Sequence, residues 1–149
     1  MKKLVGGIVV KSFVGLPDEA REIRERVFVE EQGFEREFDE ADATATHLVL
    51  SDSGKPVATC RFFKGDGEGV YLIGRIAVMP EYRKKGVGAS IVSEAEKLVA
   101  EAGGRESVVH AQTRASGFYA KLGYQPFGEP DDEEGVPHIW MRKALCPKS

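Results

Sequence analysis

The sequence predicts an α+β fold built on a mixed, mostly antiparallel sheet. Three strand-like segments follow one another through short glycine-containing turns, and one long amphipathic helix then separates two further strands. Strands joined by tight turns run antiparallel, whereas a strand, a helix and a strand in succession form a parallel crossover. Since 42% of the 149 residues are hydrophobic and 30% are charged, we expect residues 1–149 to form a single domain with a core of about 8–145.

The first half of the chain predicts a strand, a helix and a hairpin. Ile8–Val14 is short and rich in β-branched residues, as expected of a strand. The helix that follows has apolar residues at helical spacing and ends at Gly33. The acidic segment 34–46 has no periodicity and predicts a loop. His47–Leu50 and Val57–Phe63 then predict two strands of a hairpin.

The second half adds a third meander strand, the long helix and a mixed end. Val70–Val78 completes the meander, and Gly103 ends the long helix. The apolar stripe of that helix comprises Val87 or Gly88, Ile91, Val92, Ala95, Leu98, Val99 and Ala102. Its charged residues, including Glu94 and Glu96, are expected to face solvent. Ser107–Ala111 and Ile139–Lys143 predict strands, and Ser116–Leu122 predicts a short helix.

Charge and hydropathy exclude several classes of protein. The net charge is −3, whereas nucleic-acid-binding domains usually carry an excess of Lys and Arg. No apolar run approaches the roughly 20 residues of a membrane helix, and Leu4–Val10 is too short and glycine-interrupted for a signal peptide. We therefore expect a soluble, cytoplasmic protein with neither a nucleic-acid nor a membrane partner.

The cysteines and histidines form no metal-binding pattern. Cys60 and Cys146 are far apart, and Cys60 lies in an apolar run typical of a reduced, buried thiol. No two of the three histidines have ligand spacing, and the acidic run Asp131–Glu134 lacks the calcium-loop pattern, so it predicts a solvated loop. We expect no metal.

The loop before the long helix has the composition of an anion site. Its residues are Arg83, Lys84, Lys85, Gly86, Val87 and Gly88. A helix N-terminus offers unpaired N–H groups and partial positive charge, and glycine lets the backbone approach phosphate oxygens. The alternative interpretation is a helix start that merely carries a basic loop.

Spacing excludes the common nucleotide motifs and indicates a different family. The loop is neither GxxxxGK[ST] nor a GxGxxG that directly follows a first strand. It is an R-x-x-G-x-G that follows the strand end Ile76-Ala77-Val78-Met79-Pro80. This composite resembles the GNAT superfamily of N-acetyltransferases, as does Ser116–Tyr124, which is similar to that family's "FYxxxGF/Y" helix. The stretch Arg26–Gln32 resembles the ElaA/YjcF-like subgroup in particular.

The resemblance implies a three-layer α/β/α fold, a splayed parallel strand pair and acetyl-CoA as co-substrate. The coenzyme A pyrophosphate would rest on the backbone of Arg83–Gly88, and the pantetheine arm would pair with Ile76, Ala77 and Val78. That pairing requires a bulge near Arg75–Ala77. The N–H of Ala77 or Val78 would polarise the thioester carbonyl.

Tyr119 matches the family's general acid. A phenol near the sulfur can protonate the departing thiolate. The alternative is a half-buried tyrosine that packs its helix on the sheet. Where many relatives carry Asn shortly before this helix, this chain has Thr113 and Arg114, so that contact is not implied here.

A base and an acceptor site require carboxylates or histidines near the amine. Glu31 is the candidate base, and Glu30, Glu31 and His138 are the candidate acceptor-binding residues; an ordinary solvated helix end or turn histidine is the alternative for each. His47 and His110 predict packed, structural histidines.

These features together predict direct acetyl transfer to a primary amine, either a small molecule or a lysine side chain, in a ternary complex. A covalent cysteine route is disfavoured by the positions of Cys60 and Cys146. The alternatives are a non-catalytic acyl-CoA sensor and a generic nucleotide-phosphate binder. The resemblance also suggests a homodimer.

Overall fold

The computed structural model describes residues 2–4 and 6–146, which form a mixed sheet of eight strands in the order β1-β2-β3-β4-β5-β6-β8-β7. The strands are β1 (Lys2–Lys3), β2 (Ile8–Val14), β3 (Thr46–Asp52), β4 (Lys55–Lys64), β5 (Val70–Val78), β6 (Glu106–Gln112), β7 (Gln125–Glu133) and β8 (Val136–Ala144). The helices are α1 (Asp18–Arg24), α2 (Val87–Glu101) and α3 (Ser116–Lys121).

The strand directions confirm the predicted fold class. The pairs β1–β2, β2–β3, β3–β4, β6–β8 and β7–β8 are antiparallel. Strands β5 and β6, which flank α2 in the chain, are parallel, with a register from Val70 opposite Glu106 to Leu72 opposite Val108. The sheet is therefore mixed and mostly antiparallel, with one parallel pair among the described strands.

The described residues divide into two compact units. The first unit comprises residues 1–63 and 75–95, and the second comprises residues 64–74 and 96–149, each over its described part. The single domain over 1–149 remains a prediction.

The core of the first unit is formed by residues of β3, β4 and the first turns of α2. Its fully buried side chains include Leu48, Leu50, Val57, Ile91 and Val92. The β3–β4 hairpin turns at Ser53 (φ 50°) and Gly54 (φ 88°), and positive φ at both positions is the geometry that matches the twist of a two-residue hairpin.

The predicted first helix changes type halfway. Residues Asp18–Arg24 are α-helical, and Glu25–Glu31 continue as a π-helix. The widened turn is visible where the Gln32 N–H donates to the Val27 carbonyl at 3.2 Å, five residues back. Gly33, at φ 80°, ends the element as predicted. Such π segments often occur at functional sites.

Helix α2 corrects one expectation about its charged face. Glu94 is only 7% exposed and accepts a hydrogen bond from Lys2 Nζ at 2.8 Å. The carboxylate is buried because a lysine of the short β1 strand pairs with it, which the helical periodicity alone did not predict.

The second unit packs β6, β8 and α3 around a small core. Val109, Tyr124 and Met141 are almost fully buried there. The expectation that the acidic run Asp131–Glu134 forms a loop is wrong in part. Asp131–Glu133 belong to β7 and pair with Val136–His138 of β8. The strand forms through its backbone pairing with β8, while its side chains are mostly exposed.

Candidate active site

The basic loop has the geometry of an anion site. Lys84 (φ 62°) and Gly86 (φ 78°) both adopt left-handed backbone, and α2 begins at Val87. The first helical hydrogen bond runs from the Ser90 N–H to the Gly86 carbonyl at 3.0 Å. The N–H groups of the first helical turn, from Val87 onwards, therefore have no partner within the helix. Lys84, Lys85 and Gly86 are exposed, so the loop fits a polyanion such as the coenzyme A pyrophosphate.

Arg83 joins this loop to two neighbouring elements. Its Nε donates to the Val78 carbonyl at 3.0 Å, at the end of β5. Its two terminal nitrogens donate to the two carboxylate oxygens of Glu31, each at 2.7 Å. These hydrogen bonds to the Glu31 carboxylate raise the pKa of Arg83. The predicted base thus contacts the predicted phosphate loop, while the adjacent Glu30 is exposed.

The strand segment expected to hold the pantetheine arm begins at an irregular residue. Arg75 has φ 51°, a left-handed backbone that non-glycine residues rarely adopt in a strand. After it, Ala77 is buried and Ile76 and Val78 are half-buried. The Met79 N–H donates to the Val57 carbonyl at 2.9 Å, which fixes the end of the strand.

A cluster of buried charges lies beside this strand, and the sequence did not predict it. Three arginines from α1, β4 and β5 meet three carboxylates of the acidic loop between α1 and β3. The members are Arg24, Arg61 and Arg75, with Glu37, Asp39 and Asp42. Arg24, with 1% exposure, donates to Glu37 at 2.6 Å and to Asp42 at 2.7 Å. Asp39 also caps the short 3-10 helix Glu40–Ala43.

The charges in this cluster shift one another's pKa values in both directions. Burial tends to raise the pKa of Asp42, but hydrogen bonds from Arg24 and the Asp39 N–H hold it well below its usual range. Hydrogen bonds from Arg61 lower the pKa of Asp39. At Glu37 burial outweighs the arginines and raises the pKa. Three arginines face three carboxylates, so the buried charges are paired. Their hydrogen bonds attach the acidic loop to α1, β4 and β5.

His47 lies beneath the cluster as a structural histidine. It is fully buried, and its Nε2–H donates to the Asp42 carbonyl at 3.0 Å. Its Nδ1 has no hydrogen-bond partner among the described residues. Burial lowers the pKa of His47, so the ring is neutral at pH 7.

In the second unit, Tyr119 lies in α3 and is 7% exposed. Its ring packs edge-to-face against Tyr124, with centroids 5.8 Å apart. The Tyr124 hydroxyl is 2.7 Å from Ser107 Oγ and donates to Glu96 at 2.7 Å. The two tyrosines therefore form a pair in which Tyr124 has a defined structural role.

The remaining histidines share one face of β6 and β8. His110 stacks on Trp140 with centroids 4.3 Å apart, and its Nε2 is 2.7 Å from an oxygen of Asp131. His138 was expected in a turn, but it lies within β8 and is 4% exposed, because the acidic run before it is itself a strand. Its Nδ1–H donates to the Val136 carbonyl at 2.8 Å, and its ring lies 4.7 Å from that of His110.

No three or more His, Cys, Asp or Glu side chains within 2–4 and 6–146 are arranged to hold a metal ion. No helix in this part of the chain is long and apolar enough to cross a membrane. Cys60 is a buried free thiol, as predicted, and Cys146 is an exposed one.

Known proteins place this geometry in one family. A family model described as an acetyltransferase (GNAT) domain matches residues 16–145. The chain is 39% identical over 124 residues to an uncharacterized N-acetyltransferase, YjcF, of Bacillus subtilis (strain 168), covering 81% of this chain and 87% of that protein.

Solved structures agree. A putative N-acetyltransferase from Lactobacillus plantarum superposes with a TM-score of 0.85 at 28% identity, covering 94% of this chain and 99% of that one. Escherichia coli ElaA superposes with a TM-score of 0.82 at 26% identity, covering 91% and 99%. The chain is therefore an acyltransferase enzyme that belongs to the GNAT family, with YjcF and ElaA among its relatives, as the sequence motifs predicted.

Proposed function

We propose that this enzyme transfers an acetyl group from acetyl-CoA to a primary amine by direct attack in a ternary complex. The observation that carries the proposal is the loop at the start of α2. It combines left-handed backbone at Lys84 and Gly86, exposed lysines, and N–H groups of the first helical turn that have no partner within the helix. This combination suits the pyrophosphate of coenzyme A.

The strand before the loop is assigned to the pantetheine arm. Ile76, Ala77 and Val78 would offer backbone groups to the arm, and the N–H of Ala77 or Val78 would donate to the thioester oxygen. Such a donor stabilises the negative charge that develops when an amine nitrogen attacks the carbonyl carbon. The C–S bond then breaks, and the thiolate takes a proton.

Tyr119 is the proposed source of that proton. Its phenol is the group that the family resemblance assigns to the sulfur, and donation within the site avoids expelling a bare thiolate. Tyr124 is held by Ser107 and Glu96, so it serves as the structural tyrosine of this pair and as the control for Tyr119.

The amine must lose a proton before or during attack. Glu31 is the base that the sequence proposes, with Glu30 and His138 on the acceptor side. The same carboxylate also forms an ion pair with Arg83 of the proposed phosphate loop. Small-molecule amines and lysine side chains both fit this chemistry.

The mechanism is tested by Tyr119→Phe, with Tyr124→Phe as the matched control. We expect Tyr119→Phe to lower kcat at least about tenfold without changing coenzyme A affinity. Tyr124→Phe should lower the free energy of unfolding by about 1–3 kcal/mol and keep kcat within about twofold, because its hydroxyl is buried in a hydrogen-bond network. Unchanged transfer in Tyr119→Phe would remove Tyr119 from the mechanism.

A further inference from the structure

Arg75 adopts a backbone conformation that its residue type disfavours. Its φ of 51° is left-handed, although the residue lies inside β5. Gly74, the preceding residue, would adopt such a φ without steric cost, yet its φ is not positive. The chain therefore places this conformation on an arginine, which implies that contacts of the arginine hold it.

Those contacts reach the acidic loop through the guanidinium. Arg75 Nε donates to the Glu37 carbonyl at 3.1 Å and lies 3.3 Å from a carboxylate oxygen of Glu37. A terminal nitrogen donates to Asp39 at 3.4 Å. The side chain is 20% exposed, so these contacts are partly shielded from water.

The loop end of these contacts is fixed independently of Arg75. Glu37 is held by Arg24 through both its carboxylate and its carbonyl, at 2.6 and 2.9 Å. Asp39 is held by Arg61 at 2.6 and 2.9 Å. These bonds are shorter than those of Arg75, and both arginines are more deeply buried. The acidic loop is therefore held in place by Arg24 and Arg61, and the Arg75 side chain binds to this fixed loop.

The charge balance of the cluster favours the contact of Arg75 with Glu37 and Asp39. The three carboxylates of the cluster carry three negative charges, and Arg24 and Arg61 supply two positive ones. Arg75 neutralises the remaining charge, and release of its side chain would leave a partly buried carboxylate without its third cation. Such an uncompensated charge is unfavourable away from water.

We propose that Arg75 is a positioning residue for acetyl transfer. Its guanidinium, clamped by Glu37 and Asp39, holds the left-handed backbone that begins the segment Ile76–Val78. That backbone sets the direction of the N–H groups of Ala77 and Val78. The role rests on the proposed function, in which one of these N–H groups donates to the thioester oxygen. A small misdirection of such a donor weakens transition-state stabilisation more than it weakens binding.

Three substitutions separate positioning from simple stabilisation. Arg75→Ala removes the clamp and disfavours the left-handed backbone. Arg75→Gly removes the same clamp but accepts that backbone. Arg75→Lys keeps the charge and lacks the guanidinium geometry, and it provides a mild variant if the others unfold. Arg26→Ala is the control, at an arginine that is 57% exposed and lies 3.7 Å from the Glu22 carboxylate.

The readouts are kcat and KM for acetyl-CoA, with an amine that the wild-type enzyme accepts. We expect Arg75→Ala to lower kcat about tenfold or more, with KM within about twofold, because the phosphate loop is unchanged. The kcat of Arg75→Gly should be at least about threefold higher than that of Arg75→Ala, since the glycine backbone adopts positive φ freely. Arg75→Lys should fall between wild type and Arg75→Ala, and Arg26→Ala should match wild type.

Hydrogen exchange supplies a readout that needs no acceptor. The N–H groups of Ala77 and Val78 should exchange faster in Arg75→Ala than in wild type or Arg26→Ala. Wild-type kcat in Arg75→Ala, or equal kcat in Arg75→Ala and Arg75→Gly, would overturn the positioning role alone. Absence of transfer by the wild-type enzyme to every amine tested would instead overturn the proposed function, and the role in transfer with it.

Discussion

Glu31 and Arg83 form a bidentate ion pair in which both N···O distances are 2.7 Å. The carboxylate comes from the end of the π-helix, and the guanidinium belongs to the loop before α2. A guanidinium binds a phosphate through the same parallel N–H pair. Glu31 therefore occupies the donors of Arg83 that would otherwise face an incoming anion.

Replacing Glu31 by Gln should strengthen acetyl-CoA binding. The substitution removes a negative charge beside the loop and frees Arg83 for a phosphate oxygen. We expect the dissociation constant to fall about two- to fivefold, the factor for an exposed charge interaction of about 0.5–1 kcal/mol. The gain should shrink at high salt, because screening weakens interactions between exposed charges. Titration calorimetry at two ionic strengths measures both effects.

Glu25→Gln is the control, since Glu25 is an exposed carboxylate at the start of the same π-helix. It should shift the dissociation constant less than Glu31→Gln does. An unchanged or higher dissociation constant in Glu31→Gln would contradict this prediction. The proposed role of Glu31 as general base is a separate one, and it predicts a fall in kcat of about 100-fold in the same variant.

Gly86→Ala should weaken coenzyme A binding through the backbone alone. Gly86 has φ 78°, and an added Cβ would meet no atom within 4 Å. The cost is therefore conformational, about 1–2 kcal/mol, and relief of it would rotate the loop N–H groups. We expect the dissociation constant for coenzyme A to rise at least about tenfold, which corresponds to about 1.4 kcal/mol.

Gly103 provides a matched control at the other end of α2. It has φ 93°, and its Cβ would likewise meet nothing within 4 Å. Gly103→Ala should lose a similar free energy of unfolding while retaining coenzyme A affinity. Equal loss of affinity in both variants would show that the effect is global destabilisation of the helix.

His47 should make stability depend on pH just below neutrality. Burial lowers its folded-state pKa, whereas the unfolded chain takes up a proton near pH 6.5. The contribution of His47 is therefore complete above about pH 6.5 and is lost as pH falls toward the folded pKa, by up to about 1.4 kcal/mol per unit. Asp39 and Asp42, whose pKa values are lowered, lose their contributions only below about pH 4.

The measurement is urea unfolding from pH 7.5 to 5 for wild type and His47→Gln. Glu37, whose pKa is raised by burial, acts in the opposite sense as the pH falls. Its contribution is common to both proteins and cancels in their difference. The wild type should lose stability relative to His47→Gln as pH falls. Parallel curves would show that His47 is not the titrating group.

Removing both thiols should leave transfer intact. Cys60 is fully buried and burial raises its pKa, so it is a poor nucleophile, and Cys146 lies after β8 near the end of the described chain. We expect Cys60→Ala combined with Cys146→Ala to keep kcat within about twofold under conditions where the variant is folded. Loss of turnover in the folded double variant would contradict the direct mechanism.

The sequence predicted elements well where apolar periodicity or turn chemistry was clear. Ile8–Val14 and Val70–Val78 match their strands residue for residue, and α2 begins at Val87, one of the two residues predicted to open its apolar stripe. These elements are recognised from local sequence, because β-branched runs between glycine-containing turns favour strands and apolar residues at helical spacing favour a helix.

The prediction failed where partners elsewhere in the chain decide the structure. The acidic strand β7 carries no apolar alternation and forms through pairing with β8. Glu37 and Asp42 are buried because arginines from α1 and β4 reach them. A charged residue in an irregular segment is normally solvated, so a single sequence gives no sign of such pairs. Helical spacing likewise does not distinguish the π-helix from an α-helix.

In the candidate site, too, the sequence predicted local features and missed contacts between distant residues. The R-x-x-G-x-G spacing identified the loop Arg83–Gly88, since glycine and helix position are local features. The contact between Glu31 and Arg83 joins residues 52 positions apart, and only the folded chain brings them together.

The central claim is transfer from acetyl-CoA to an amine, and its most direct measurement is free-thiol release across a panel of primary amines. The panel should include polyamines, aminosugars and lysine-containing peptides, with product mass checked for one added acetyl group. The account predicts amine-dependent thiol release for at least one class, and its loss in Tyr119→Phe. Tight acetyl-CoA binding without thiol release for any amine would contradict it and indicate an acyl-CoA sensor.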